Sequence, residues 1–144
     1  MIGYSGLAWR ILWRGQDALA PVQNPEGRFH HAGQPAVYTS LTEAGCATAI
    51  ARYLAPNDGP RAIACLQITA ERIYDLRHEP AARMVWQDLR ATGAPSPTWA
   101  FSDAARAEAA QGMLYASRSH PHLTHLVLFD PQVILRETPR KTWP

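Results

Sequence analysis

Cysteine, lysine and long apolar runs are all scarce in this chain of 144 residues. Cys46 and Cys65 are too few for a disulfide scaffold and lack metal-ligand spacing, so we expect two buried, reduced thiols in a cytoplasmic protein. No apolar run approaches the roughly 20 residues of a bilayer-spanning helix, which excludes a membrane span. The opening residues, MIGYSGLAWR, lack a positive segment followed by an apolar one, so no signal peptide is expected.

A strong charge of one sign is also missing, because the net charge is +2. So weak a positive charge does not favour direct binding to nucleic acid. Lys141 is the single lysine, so thirteen of the fourteen basic residues are arginines. Two explanations stay open: a GC-rich genome, which would also favour alanine and proline, or a need for planar groups that bind phosphate or carboxylate at two points.

The common nucleotide-binding and hydrolase motifs are absent. The chain has no GxxxxGK loop, no GxGxxG after a strand, no HExxH and no GxSxG. Histidines occur as His30–His31 and as the group His120, His122 and His125. Without cysteines or paired carboxylates beside them, they predict a solvated histidine-rich loop and no metal site.

The composition is typical of a folded globular chain, with 47% hydrophobic and 18% charged residues. The length fits a single compact domain, residues 1–144. Short apolar segments alternate irregularly with three helical patterns, which predicts an α+β fold and not repeated βαβ units. Strands are expected at 7–13, 36–39, 61–68, 113–116 and 125–129, with further extended pieces at 73–76 and after Asp130.

The first helix is predicted from a local capping pattern. Ser40 and Glu43 fit a Ser-x-x-Glu capping box, in which each side chain binds a free backbone N–H of the first turn. The helix is expected to continue to about Leu54. The stretch 55–60 (APNDGP) then ends it.

Two more helices are predicted further along the chain. An apolar stripe at helical spacing predicts one that ends near Gly93. Ser102 is expected to cap the other, over residues 103–111. The stripe consists of Ala82, Val85, Trp86 and Leu89.

One segment, residues 26–40 (EGRFHHAGQPAVYTS), has a more specific order. A Gly-Arg-aromatic turn leads to a Gly-x-Pro turn, and an apolar strand then ends in Tyr-Thr-Ser before a helix. This pattern closely resembles the RES-domain family, which is named for an Arg, a Glu and a Ser. Trp9-Arg10 and the segment 113–119 (MLYASRS) match further family elements. The resemblance covers residues 9–129 and leaves 130–144 as a C-terminal extension.

RES domains are toxins of bacterial toxin–antitoxin pairs, with a fold similar to that of ADP-ribosyltransferases. The resemblance therefore implies mixed or antiparallel sheets, NAD as co-substrate without a metal, and an Xre-like helix-turn-helix antitoxin as partner. It implies cleavage of NAD and transfer of ADP-ribose to a bacterial target protein. Two alternatives stay open: NAD hydrolysis or phosphorolysis without a protein acceptor, and a catalytically inactive module that binds only an antitoxin or a nucleotide.

The resemblance also assigns roles to residues at matching positions. Arg28 and Arg10 would hold the phosphates or ribose of NAD, Tyr38 would stack on the nicotinamide, and Ser117 would hydrogen-bond within the pocket. The chemistry suits these roles, because a guanidinium binds phosphate oxygens at two points and an aromatic face holds a flat ring.

The chain departs from the family pattern in two places. His30 stands where the family has an asparagine, a change that bears on ribose contacts. Ala49 occupies the position of the expected glutamate, whose carboxylate would face the oxocarbenium-like ribose as the glycosidic bond breaks. The nearby Glu43 is expected to serve the capping box instead. Either an experimental substitution removed the glutamate or the lineage lost it.

Overall fold

Two long strands form the frame of the computed structural model, which describes residues 1–56 and 58–144. They pair antiparallel along nearly their whole length, from Ile2 opposite Ile73 to Trp13 opposite Arg61. The strands are β1 (Ile2–Trp13), β2 (Val37–Ser40), β3 (Arg61–Leu76), β4 (Gly112–Ala116), β5 (Thr124–Leu128), β6 (Ile134–Glu137) and β7 (Lys141–Trp143).

The seven strands make one mixed sheet in the order β1-β2-β5-β4-β3-β6, with β7 also on β3 and a further pairing of β1 with β3. The pairing of β3 with β4 is parallel, and the other named pairings are antiparallel. Three α-helices occur in the described chain: α1 (Glu43–Ile50), α2 (Gln87–Ala91) and α3 (Trp99–Ala107). The predicted α+β class, in a single compact domain with about three helices, is confirmed.

The two faces of β2, β5 and β4 belong to two separate cores. Successive side chains of a strand point to opposite faces, so residues two apart share a face. One face packs Val37, Leu114, Leu126 and Leu128 into a core with β1 and β3. The other packs Met113, Tyr115 and Val127 with Phe29 and Phe129. Tyr38 packs against this second core.

The capping box at Ser40 and Glu43 is wrong. Ser40 is the last residue of β2, and Thr42 caps α1 by accepting a hydrogen bond from the Gly45 N–H at 2.9 Å. Glu43 is exposed and pairs with Lys141 at 2.7 Å. The α-helix ends at Ile50, and one 3₁₀ turn carries the chain on to Tyr53. The predicted stop at 55–60 includes Asn57, which lies outside the described residues.

The prediction of one continuous second helix is also wrong. Of its stripe, Ala82 lies in a 3₁₀ helix at Pro80–Arg83 and Leu89 in the short α2. Val85 and Trp86 lie between these helices, after an extended backbone at Met84. The carbonyls of Ala82 and Met84 are thereby left free of helical hydrogen bonds, and both accept from the Arg28 guanidinium.

The third helix begins earlier than predicted, with Thr98 at its N-cap. Ser102 lies inside α3 and donates to the Trp99 carbonyl, so it is not the cap. The helix ends at Ala107, because Ala109 adopts a left-handed backbone conformation with φ of 58°. No helix in the described ranges is long and apolar enough to cross a membrane.

Strand β3 is twice as long as the predicted 61–68 segment and absorbs the extended piece at 73–76. Its polar middle is supported by Gln111, whose side-chain oxygen accepts from the N–H groups of Glu71 and Arg72. The C-terminal residues add β6 and β7 to the same strand. Both cysteines are free thiols, but Cys65 is only half-buried, which corrects the expectation of two buried thiols.

Candidate functional site

Polar side chains form a row across β2, β5 and β4 on the face of the second core. Ser40 lies directly opposite His125, and His125 lies opposite Tyr115. Two residues before Ser40 comes Tyr38, and two residues after Tyr115 comes Ser117, so both continue the same side of the sheet. The register of the three strands thus brings together residues that are far apart in sequence. Tyr38 and Ser117 are separated by 79 positions.

A cleft of about 590 Å³ opens on this face, and we call it the Arg28 cleft. It brings together four of the five predicted site residues: Arg28, Tyr38, Ala49 and Ser117. A second cleft of about 510 Å³ is lined by Arg10, the fifth predicted residue, and we call it the Arg10 cleft. The clefts meet at a junction of residues that line both, namely Val22, Asn24, Tyr38, Ala49, Tyr53, Tyr115 and His125.

The Arg28 guanidinium is anchored at one end and open at the other. Its Nη1 donates to the carbonyls of Met84 at 2.7 Å and Ala82 at 3.4 Å. Nε and Nη2 donate to no described protein atom, yet neither is sealed from solvent. Burial lowers the pKa of Arg28, and the Arg118 guanidinium lowers it further. Because an arginine stays charged even so, Arg28 presents a fixed positive charge with free N–H donors to the cleft.

No Asp or Glu of the described chain forms an ion pair with Arg28. Arg52 and Arg118 also line the cleft, and Glu26 is the one acidic residue among its described lining. Both carboxylate oxygens of Glu26 accept from Arg90, at 3.0 and 3.2 Å. The Arg28 cleft therefore carries an excess of positive charge that suits an anionic ligand.

Tyr38 is held in place by a hydrogen bond to His30. His30 Nε2 lies 2.8 Å from the Asn24 carbonyl, which can only accept, so Nε2 carries the proton. His30 Nδ1 then accepts from the Tyr38 hydroxyl at 2.7 Å, and the same hydroxyl accepts from the Phe29 N–H at 2.9 Å. Burial lowers the pKa of His30, which favours this neutral form. His30 thus positions the Tyr38 ring at the junction.

Ser117 and Ala49 line the Arg28 cleft from different elements. Ser117 is buried at the end of β4, where its Oγ accepts from the His120 N–H at 3.3 Å and its own N–H donates to the Leu123 carbonyl. Ala49 is exposed near the end of α1 and lines both clefts. A longer side chain at position 49 would therefore enter the junction without displacing core residues.

The family model of the RES domain matches residues 7–144. The chain belongs to the RES-domain family. A similar solved structure is a chain in the crystal structure of the M. tuberculosis MbcT–MbcA toxin–antitoxin complex, with a TM-score of 0.66 and 18% identity. The match covers 99% of this chain and 86% of that one. No curated protein sequence matches the chain significantly.

Arg10 of this RES domain lies apart from the other predicted residues. It is buried on β1, and its Nη1 donates to the carbonyls of Ala18 at 2.6 Å and Ala20 at 2.9 Å. These bonds hold the loop after β1 against the sheet. Arg10 lines the second cleft and Arg28 the first, so the two arginines do not line the same cleft.

Sequence reasoning missed His125, a buried titratable residue of the junction. His125 Nδ1 lies 2.6 Å from Ser40 Oγ, and burial, followed by the nearby Arg28 guanidinium, lowers the pKa of His125 to about 4. The pattern His120, His122 and His125 predicts one solvated loop. His120 and His122 are indeed exposed in the β4–β5 loop, whereas His125 belongs to β5. The strand-like segment HLVLF, which begins at His125, is the sequence signal that assigns His125 to a strand and not to the loop.

The loop that carries Arg28 depends on a glycine. A Cβ built on Gly27 would lie 2.5 Å from His30 Cε1 and 3.2 Å from the Tyr38 hydroxyl. The Gly27 carbonyl accepts from Trp99 Nε1 at 2.7 Å and its N–H donates to the His30 carbonyl at 2.8 Å, so the loop cannot shift easily.

We expect Gly27→Ala to lower the free energy of unfolding by about 1–3 kcal/mol, because His30 must move and release Tyr38. Urea unfolding followed by tryptophan fluorescence measures the change. Gly3→Ala is the matched control, since its Cβ would meet an ordinary contact at 3.5 Å from the Ala70 carbonyl. Equal effects of the two substitutions would contradict the close packing at Gly27.

The lowered pKa of His125 predicts a pH dependence of stability. An unfolded histidine takes up a proton near pH 6.5, whereas the folded protein resists protonation of His125 until about pH 4. The contribution of His125 to the free energy of unfolding is therefore fully present above about pH 6.5. It is lost as the pH falls toward 4, by on the order of 3 kcal/mol.

Urea unfolding at pH 7 and pH 4.5 tests this expectation. His125→Asn should lose less stability over that interval than the unsubstituted chain. His122→Asn should follow the unsubstituted chain, because His122 is exposed. Parallel curves for all three proteins would mean that His125 does not titrate as described.

Proposed function

We propose that this RES domain is the toxin of a toxin–antitoxin pair and that its substrate is NAD. The observation that carries the proposal is the Arg28 guanidinium, which is free of any carboxylate partner in the described chain and shares one cleft with Tyr38 and Ser117. A pyrophosphate binds such a guanidinium at two points, and a neutral ligand would leave its charge uncompensated.

The two clefts suit the two halves of a dinucleotide. The two clefts share the junction residues, and both are lined by aromatic rings and arginines. Tyr38 and Tyr115 supply flat faces at that junction, where a nicotinamide ring would be held as it leaves. Arg28 on one side and Arg10 on the other offer N–H donors to phosphate or ribose oxygens.

The proposed reaction breaks the glycosidic bond of NAD. Nicotinamide leaves with the bonding electron pair, positive charge develops on the ribose, and a nucleophile of a target protein attacks C1′ and loses its proton. Water or phosphate as nucleophile would give hydrolysis or phosphorolysis. The developing charge needs a carboxylate nearby, and position 49 lines both clefts where that carboxylate would stand.

In the chain as it stands, position 49 provides only a methyl group. Glu26 does not replace the missing carboxylate, because Arg90 already binds both of its oxygens. This observation favours a second candidate function, in which the chain retains its cleft but acts as a binding module without catalysis.

The partner we propose is an Xre-like antitoxin. The similar solved structure is a toxin–antitoxin complex, which is consistent with such a partner. An antitoxin that closes the cleft would place a carboxylate, from a side chain or its C-terminus, against Arg28 or Arg10.

Loss of the Arg28 side chain should weaken NAD binding. We expect Arg28→Ala to cost on the order of 1.5–3 kcal/mol in binding free energy, because a charge-assisted hydrogen bond is lost. Isothermal titration calorimetry with NAD measures it. Arg136→Ala is the matched control, since Arg136 is exposed on β6 and lines neither cleft. Undetectable NAD binding by the unsubstituted chain would overturn the proposed function.

A carboxylate at position 49 should create or restore catalysis. We expect Ala49→Glu to raise the rate of NAD consumption by on the order of 10²–10³, because one electrostatic stabiliser of the transition state is gained. The fold should be unchanged, since Ala49 is exposed. Nicotinamide release and growth arrest on expression are the measurements.

Ala49→Gln is the control, because it adds similar bulk without charge. Labelled NAD in a cell lysate separates the reactions: label fixed on a protein indicates transfer, and free ADP-ribose or its 1″-phosphate indicates hydrolysis or phosphorolysis. If Ala49→Glu is as inert as the unsubstituted chain, the role of position 49 is wrong and the binding module is the better description.

A further inference from the structure

We propose that His125 binds NAD directly through its Nε2 atom, as a neutral imidazole that Ser40 holds in orientation. This inference deepens the proposed function and rests on it. None of the roles implied by the family resemblance falls on His125, and the argument for it comes from the geometry of β2 and β5.

The first observation is the Ser40–His125 pair. The two residues are direct cross-strand neighbours, both are buried, and His125 Nδ1 lies 2.6 Å from Ser40 Oγ. Opposed side chains on antiparallel strands have little freedom to separate. One ring nitrogen is therefore occupied and the plane of the imidazole is fixed.

The second observation is that the other ring nitrogen is unoccupied. His125 Nε2 makes no hydrogen bond in the described chain. In the described chain, the buried side-chain atoms without a hydrogen-bond partner are Arg61 Nε and Arg106 Nε. His125 Nε2 is not one of them, so it is not fully shielded from solvent. Since His125 lines both clefts, Nε2 opens into the junction. A buried histidine with one nitrogen anchored and the other facing a cleft is arranged to contact a ligand.

The third observation is the charge around His125. Arg28 is close enough to oppose protonation, Tyr115 packs against the ring at 5.3 Å between centroids, and Ser40 is uncharged. Burial is the larger cause of the lowered pKa of His125 and Arg28 the smaller one, so His125 is neutral at physiological pH. A neutral imidazole can exchange a hydrogen bond with a ribose hydroxyl or a carboxamide, which are the uncharged polar groups of NAD nearest its scissile bond.

Nitrogen chemical shifts of the histidine rings test the contact in the unsubstituted chain. We expect saturating NAD to shift the His125 Nε2 resonance, while the ring resonances of the exposed His122 stay unchanged. A merely structural role for His125 would leave Nε2 unaffected by NAD. An unchanged Nε2 resonance at saturation overturns the inference.

Two substitutions give an independent measurement by calorimetry with NAD. His125→Asn keeps a polar group near Nδ1 but does not reach the cleft, so we expect a loss of about three- to ten-fold in affinity. His125→Gln places its amide near the position of Nε2 and should stay within about two-fold of the unsubstituted chain. His122→Asn is the control and should have no effect.

The outcome for Arg28→Ala separates this inference from the proposed function. If Arg28→Ala weakens NAD binding and His125→Asn does not, the inference fails and the proposed function stands. If the unsubstituted chain does not bind NAD, the proposed function itself fails.

Discussion

The register between β2 and β5 determines which side chains reach the cleft. It places Tyr38 and Ser40 on the same face as His125, while Val37 and Leu126 face the opposite core. A slip of one residue would exchange the two faces of β2, burying Tyr38 among aliphatic residues and exposing Val37. The apolar core on one face therefore fixes the polar row on the other, and the site inherits its precision from hydrophobic packing.

The loop that carries Arg28 is ordered by hydrogen bonds and aromatic packing instead of a sheet. The Arg28 carbonyl accepts from Thr98, the Gly27 carbonyl accepts from Trp99, and the guanidinium binds the carbonyls of Ala82 and Met84. Three segments that are distant in sequence thus converge on one arginine. A buried charge is costly unless its N–H groups find acceptors, and this chain supplies carbonyls where a carboxylate would cancel the charge. The arrangement leaves Arg28 positively charged, with no carboxylate partner in the described chain.

This use of carbonyls explains where sequence reasoning failed on the second helix. The stripe from Ala82 to Leu89 is helical in pattern, and an uninterrupted helix would consume the carbonyls of Ala82 and Met84 internally. Tertiary contact with Arg28 outweighs the local preference. The capping prediction for Ser40 failed for a related reason. A capping box is a local signal, whereas the Ser40 side chain hydrogen-bonds His125, which is 85 positions away. By contrast, β1, β2, β4 and β5 were predictable because their apolar residues are continuous over short segments.

The site was predictable to the extent that its order along the chain follows a family pattern. Arg28, Tyr38, Ala49 and Ser117 converge on one cleft, although no local signal could have placed Ser117 beside a loop 89 positions earlier. His30 and His125 could not be assigned from sequence, because their roles depend on which ring nitrogen is occupied, and only the surrounding carbonyl and hydroxyl groups decide that. Both histidines are neutral for the same cause, burial near arginines.

The alanine at position 49 has a further physical consequence. A glutamate there would place a negative charge in the cleft that Arg28 also lines, and it would lower the excess positive charge that the cleft offers to an anion. Under the proposed function, alanine favours ground-state binding of an anionic substrate, whereas a carboxylate would favour the cationic transition state. Binding and catalysis thus make opposite electrostatic demands on one position. Under the proposed function, the tightest binder among variants at position 49 need not be the fastest catalyst.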